Sequence, residues 1–218
     1  MRKKLFHLTI RATRLIIVMM VAVVAIAALA MQYRINLANK WQHRVALPPS
    51  VVHGKGDNVM VFAPHSDDET LGCGGMLATS AANGAKVRVV LVTNGDGFRL
   101  AVSRAYKRLK VTPKECIEFA YRRQRETLHA LSKLGVAPKS VTFLGYPDRG
   151  IEPLWNGYWT SDRLYRSCAT KADRSPYHNS YTPRAPYCGE SLLRDVDKII
   201  RETEPTDIYL PHPWDNHP

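Results

Sequence analysis

The sequence predicts an α/β fold: a Rossmann-like, mostly parallel sheet with helices on both faces, preceded by an N-terminal transmembrane helix. Three observations predict it. Four short apolar segments, residues 59–62, 87–92, 141–144 and 208–210, run straight into turns or loops, as buried strands do. Segments of helical length and pattern separate them, so strands alternate with helices. A basic N-terminus is followed by an unbroken apolar run over residues 15–31.

Taken in order, Val59-Met60-Val61-Phe62 feeds Ala63-Pro64, and a helix is expected from about Glu69 to Ala82, closed by Asn83-Gly84. Val-Arg-Val-Val-Leu-Val at 87–92 forms the second strand and stops at Thr93-Asn94-Gly95-Asp96-Gly97. Thr112-Pro113-Lys114-Glu115 combines an N-cap, a proline at the first helical position and a capping-box acid, so a helix runs from there to Leu134 before Gly135. A third strand at 141–144, a helix over about 190–203 and a fourth strand at 208–210 complete the pattern. In such sheets ligands bind beyond the carboxyl ends of the strands, where strand order reverses. Residues 146–189 lack periodicity and hold Trp155, Tyr158, Trp159, Tyr165, Tyr177, Tyr181 and Tyr187, which reads either as a substrate-facing insertion or as aromatic packing of a long ordered loop.

The chain has 218 residues, 45% of them hydrophobic and 23% charged, within the range of globular proteins. Its net charge of +12 is concentrated at one end. Residues 1–44 carry eight Lys or Arg and no acid, and removing those eight from the 31 basic residues leaves 23 against 19 acids. That modest excess, with no recognised binding motif, excludes nucleic acid as a partner. Residues 99–125 hold nine Lys or Arg, which suits an anionic glycan, a membrane surface or simply a solvated helix face.

Organisation follows from these features. Residues 1–31 form a basic segment and signal anchor, 32–57 a linker with Pro48-Pro49-Ser50 and Gly54-Lys55-Gly56-Asp57, and 58–218 the globular domain. The 17 apolar residues at 15–31 reach about 25 Å as a helix. Five basic residues precede them and only Arg34, Lys40 and Arg44 follow closely, which puts the N-terminus in the cytoplasm and the domain outside. Ala28-Leu29-Ala30 also resembles a cleavage site, so secretion after signal cleavage is the alternative. Four cysteines suit an exported protein. A bridge between Cys168 and Cys188 would restrain the Pro- and Tyr-rich loop between them, whereas Cys73 reads as a small packed side chain.

The chemistry concentrates in two loops. His65, Asp67 and Asp68 lie within four residues after the first strand. Imidazole and carboxylate together suit zinc or another divalent transition metal, although capping carboxylates beside an incidental histidine give the same local pattern. Pro211-His212-Pro213-Trp214-Asp215-Asn216-His217-Pro218 follows the fourth strand and adds two imidazoles. An open catalytic zinc site needs three protein ligands, so His65, Asp68 and one histidine of the second loop would suffice.

Pro64-His65-Ser66-Asp67-Asp68-Glu69 followed by Thr70-Leu71-Gly72-Cys73-Gly74-Gly75 resembles the leading motif of the PIG-L/LmbE deacetylases. Arg123-x-x-Glu126 with Leu134-Gly135, Leu144-Gly145-Tyr146-Pro147-Asp148 and the His-rich terminal segment continue the resemblance over about residues 58–218. It implies a zinc-dependent hydrolase that removes acetyl from N-acetylglucosamine-type sugars of a glycan or glycolipid. By position, His65 and Asp68 would be metal ligands, Asp67 the general base, His217 the group that stabilises the tetrahedral intermediate or assists the leaving amine, and Arg123 and Asp148 substrate contacts. The family motif continues with an Asp and a further His that ligates the metal, so the third ligand is expected just beyond Pro218 and the domain is expected to be incomplete. Outside that reading stand a non-catalytic tethered sugar-binding or scaffold protein, and an amidase acting on another N-acyl conjugate. No oligomeric state is implied.

Overall fold

The computed structural model describes residues 2–42 and 51–212. The chain divides into two compact units, Met1–Ser50 and Val51–Pro218. In the first, a single helix, α1 (Arg2–Gln42), continues beyond both ends of the apolar run. Its stretch Arg14–Leu37 is 24 residues long and apolar enough to cross a membrane.

The second unit is built on four strands, β1 (Asn58–Ala63), β2 (Lys86–Thr93), β3 (Val141–Tyr146) and β4 (Asp207–Tyr209). They form one sheet in the order β3-β2-β1-β4, and every neighbouring pair is parallel. The apolar strand sequences follow from burial on both faces, because alternate side chains enter different cores. Met60, Val90 and Leu144 pack on one face with Leu154, Tyr187 and Ile199. Val61, Val89 and Phe143 pack on the other with Leu77, Leu131 and Val136.

Those cores are closed by α2 (Asp68–Ala82) and α4 (Pro113–Lys133) on the second face, and by α6 (Gly189–Thr203) on the first. The chain thus crosses from β1 to β2 to β3 over one face, then returns over the other to place β4 beside β1. That reversal opens a crevice at the carboxyl ends of β1 and β4. The capping box expected at the start of α4 is formed: Thr112 Oγ1 accepts the Glu115 backbone N–H at 3.3 Å, and Glu115 Oε2 accepts that of Thr112 at 2.7 Å.

Two helices were not anticipated by the sequence pattern, α3 (Arg99–Tyr106) and α5 (Ile151–Asn156). α3 is fixed by Val102, buried against Cys116, Phe119 and Ala169. The aromatic segment packs in part into the core. Tyr177 and Tyr187 are buried, whereas Trp155 stays 70% exposed. Cys168, exposed, and Cys188, buried, are free thiols, as are Cys73 and Cys116.

Leu77 is fully buried and attaches α2 to the sheet. Leu77→Ala is expected to destabilise the fold by about 2–5 kcal/mol, the usual range for a buried Leu whose cavity does not collapse. Urea denaturation of the full chain beside the variant checks it.

Candidate active site

At the end of β1 the chain is tied to its neighbour. The Pro64 carbonyl accepts both the backbone N–H of Thr93, at 3.0 Å, and its hydroxyl, at 2.8 Å. His65, Ser66 and Asp67 then cross the end of the sheet, and Asp68 opens α2. Asp68 Oδ2 accepts the His65 backbone N–H at 2.9 Å, which closes the loop on itself.

Asp67 sits at φ 143°, ψ −25°, a conformation that side chains with a Cβ rarely adopt. Its N–H donates to Glu69 Oε2 at 3.0 Å, and Glu69 Oε1 accepts the Thr70 hydroxyl at 3.0 Å. Glu69 is only 1% exposed. Burial pushes its carboxyl above the usual range, against the opposing hydrogen bond from Asp67. The strained turn sends two adjacent carboxylates to different partners. Asp68 Oδ2 meets His65 Nδ1 at 3.3 Å, while Asp67 Oδ2 meets the Arg123 guanidinium at 3.2 Å. Arg123, on α4, also donates to the Ser66 carbonyl and reaches Glu126 at 3.3 Å.

The other imidazole nitrogen of His65, Nε2, faces Asp148 Oδ1 at 3.5 Å. Hydrogen bonding to Asp148, then to Asp68, outweighs burial and raises the His65 pKa to about 9. Asp148 follows β3. Burial acts to raise its pKa, but the His65 contact and the Gly97 N–H more than offset this and hold it below the usual range. Gly97 donates its backbone N–H to Asp148 Oδ2 at 2.9 Å, and a Cβ at Gly97 would lie 2.9 Å from that carboxylate. Asp148 in turn donates its own N–H to Asp96 Oδ1 at 3.2 Å, and Tyr177 donates its hydroxyl to Asp96 Oδ2 at 2.6 Å. Asp96 is fully buried, and desolvation lifts its pKa to about 6.

Of these groups His65, Ser66, Asp67, Arg123 and Asp148 line a cleft of about 230 Å³ that also takes in Phe98, Phe119 and Arg149. A larger groove of about 680 Å³ shares His65 and Arg149 with it and is walled by Trp155, Trp159, Leu193 and Val196. Residues beyond the ends of β1, β2 and β3, with two side chains of α4, therefore converge on one place.

The donor set suits a cation on one side of His65. Zinc ligands at about 2.0–2.1 Å in tetrahedral geometry stand about 3.3 Å apart, and His65 Nδ1 and Asp68 Oδ2 are 3.3 Å apart. Asp148 meets the opposite ring nitrogen and so cannot share that ion through His65. A carboxylate at that nitrogen can fix the orientation of the ring. Among the described residues no group of three or more His, Cys, Asp or Glu side chains is arranged around a single metal position. His212 follows β4 and is exposed, and His217 lies outside the described residues.

The family described as PIG-L, GlcNAc-PI de-N-acetylase, matches residues 60–218. The chain belongs to the PIG-L family. Its members are generally deacetylase hydrolases and typically metal-dependent. No curated protein matches the chain.

In this PIG-L family member the structure brings His65, Asp67, Arg123 and Asp148 together at one cleft, with Asp68 against His65. Sequence reasoning did not single out Glu69, Asp96 or Gly97. The available signal for the latter two was positional, since Asn94-Gly95-Asp96-Gly97 follows its strand as the histidine loop follows β1. Glu69 stood only at the end of the leading motif, where a helix was expected to start.

The raised pKa of Asp96 has a consequence for folding. The native state holds a proton on it up to about pH 6, above the ordinary carboxylate value, so this group's contribution to stability falls as pH rises from about 4 through 6. In urea titrations the native chain is expected to lose stability relative to Asp96→Asn over that window. A difference independent of pH would contradict it.

Proposed function

We propose that the chain is a metal-dependent hydrolase that removes the N-acetyl group from an N-acetylglucosamine-type sugar of a glycan or glycolipid. The observation that carries this reading is the divergence of two neighbouring carboxylates, Asp68 to His65 and Asp67 to the cleft beside Arg123. His65 and Asp68 would hold zinc or another divalent transition metal. Such an ion, when bound, polarises the amide carbonyl and makes water more acidic.

Asp67 takes a proton from the attacking water as its oxygen adds to the carbonyl carbon. The proton passes to the amide nitrogen, the C–N bond breaks, and acetate and the free amine leave. His217 has the role of stabilising the tetrahedral intermediate or assisting the departing amine. Arg123 keeps Asp67 at the cleft and offers its guanidinium to sugar hydroxyls. Asp148 orients the His65 ring, and a sugar hydroxyl reaching the same carboxylate would make it a substrate contact as well. α1 serves as a single-pass anchor with a cytoplasmic N-terminus, which places the domain outside the cytoplasm.

Asp67→Asn removes the base and leaves both proposed ligands. In the full chain assayed on an N-acetylglucosamine substrate, the variant is expected to lose about 10²- to 10⁴-fold in kcat with its metal content nearly unchanged. Activity equal to that of the native chain would remove Asp67 from the role.

A further inference from the structure

Between Asp96 and Glu115 the chain carries six cations, Arg99, Arg104, Lys107, Arg108, Lys110 and Lys114, and no acid. This stretch comprises α3 and the turn after it. Apolar side chains stand among the cations and point outward: Phe98 is 55% exposed, Leu100 56% and Leu109 101%. Leu100 lies in α3, which Val102 fixes by its burial against Cys116 and Phe119, whereas Phe98 precedes the helix as its N-cap and Leu109 lies in the turn after it. Arg108 is engaged by Glu115 at 3.1 Å and Lys114 by Glu118 at 3.8 Å. Among the described residues no carboxylate pairs with Arg99, Arg104, Lys107 or Lys110.

A solvated segment does not need three exposed large apolar residues, and a core-facing one would not hold these cations. Both together are what the boundary of a lipid bilayer selects, where apolar tips enter the acyl region and basic heads stay with anionic headgroups. A soluble polyanion would be met by the cations alone and leaves Phe98, Leu100 and Leu109 without a role. Phe98 also lines the catalytic cleft, so this surface is continuous with the cleft's rim.

We propose that residues 98–110 form a lipid-docking surface that seats the rim of the cleft on an anionic bilayer. The proposal rests on the membrane-anchored reading only in that the anchor supplies a nearby bilayer. Docking needs the charge of the lipid, whereas insertion of α1 does not.

That difference separates the two in one experiment. The full chain is mixed with phosphatidylcholine vesicles, or with vesicles of phosphatidylcholine and phosphatidylglycerol in equal parts, and both flotation and backbone hydrogen exchange are measured. Flotation on the neutral vesicles reports α1. Slowed exchange over residues 98–112 on the anionic vesicles alone, reversed by high salt, is the expected result for docking. Lys107→Gln with Lys110→Gln should weaken that docking by roughly thirtyfold, about fivefold per cation at a membrane surface. Leu109→Ser should weaken it further without touching the fold, because Leu109 is wholly exposed. Exchange that is the same on both vesicles would overturn the proposal even if the chain floats. Slowing by heparin in solution but not by anionic vesicles would also overturn it and assign the face to an anionic polymer.

Discussion

The arrangement of the cleft depends on one backbone turn, the positive-φ conformation of Asp67 between β1 and α2. In an ordinary helix entry successive side chains would fan out regularly, and Asp67 would be free to cap the helix. Here its side chain makes no capping bond. The turn instead commits Asp68 to His65 and Asp67 to Arg123, so adjacent residues of one type acquire different chemistry. A conformation of this kind costs on the order of 1–3 kcal/mol. The surroundings hold it: Glu69 accepts the strained N–H from beneath, and Arg123 holds the Ser66 carbonyl and the Asp67 carboxylate from above.

Topology explains why such a turn has partners at all. Because β4 lies beside β1 on the side away from β2, the loop after β1 stands at the reversal of strand order with room at its carboxyl end. The ends of β2 and β3 bring Gly97 and Asp148 to the same edge. Gly97 must lack a side chain for Asp148 to approach His65, and Asp96 beneath them anchors Asp148 through its backbone. His65 is thereby held between two carboxylates, one on each ring nitrogen. Under the proposed function the Nδ1 edge, beside Asp68, would take the cation, and Asp148 at Nε2 would orient the ring.

Much of this fold was legible in the sequence, for reasons local to each element. The strands declared themselves because burial on both faces demands continuous apolar residues, and α4 because Thr112 and Glu115 cap it reciprocally. α3 did not, since eight residues held by the single buried Val102 leave little period to read. The 146–189 segment was opaque for a related reason. Tyr177 is fixed by Asp96, 81 residues away, and Tyr187 by the Gly145 carbonyl, 42 residues away. The site divides in the same manner: His65, Asp67, Asp68, Arg123 and Asp148 were visible in motifs, but Asp96 and Gly97 were not, and the pairings Asp67 with Arg123 and His65 with Asp148 join segments that no local pattern connects. The apolar run at 15–31 marked a helix without marking its ends, because the flanking Arg, Lys, Gln and Leu residues continue a helix readily.

If the strained turn is what separates the two carboxylates, its strain must be measurable apart from catalysis. The direct measurement compares the stability of Asp67→Gly and Asp67→Ala in urea, where both lack the carboxylate and differ only in backbone freedom. At an ordinary position alanine is the more stable by roughly 0.4–1 kcal/mol, because glycine gains more freedom on unfolding. The account predicts the reverse order here, with the glycine variant the more stable. An alanine variant as stable as the glycine variant, or more so, would show that Asp67 is not held in a strained conformation and would contradict the account.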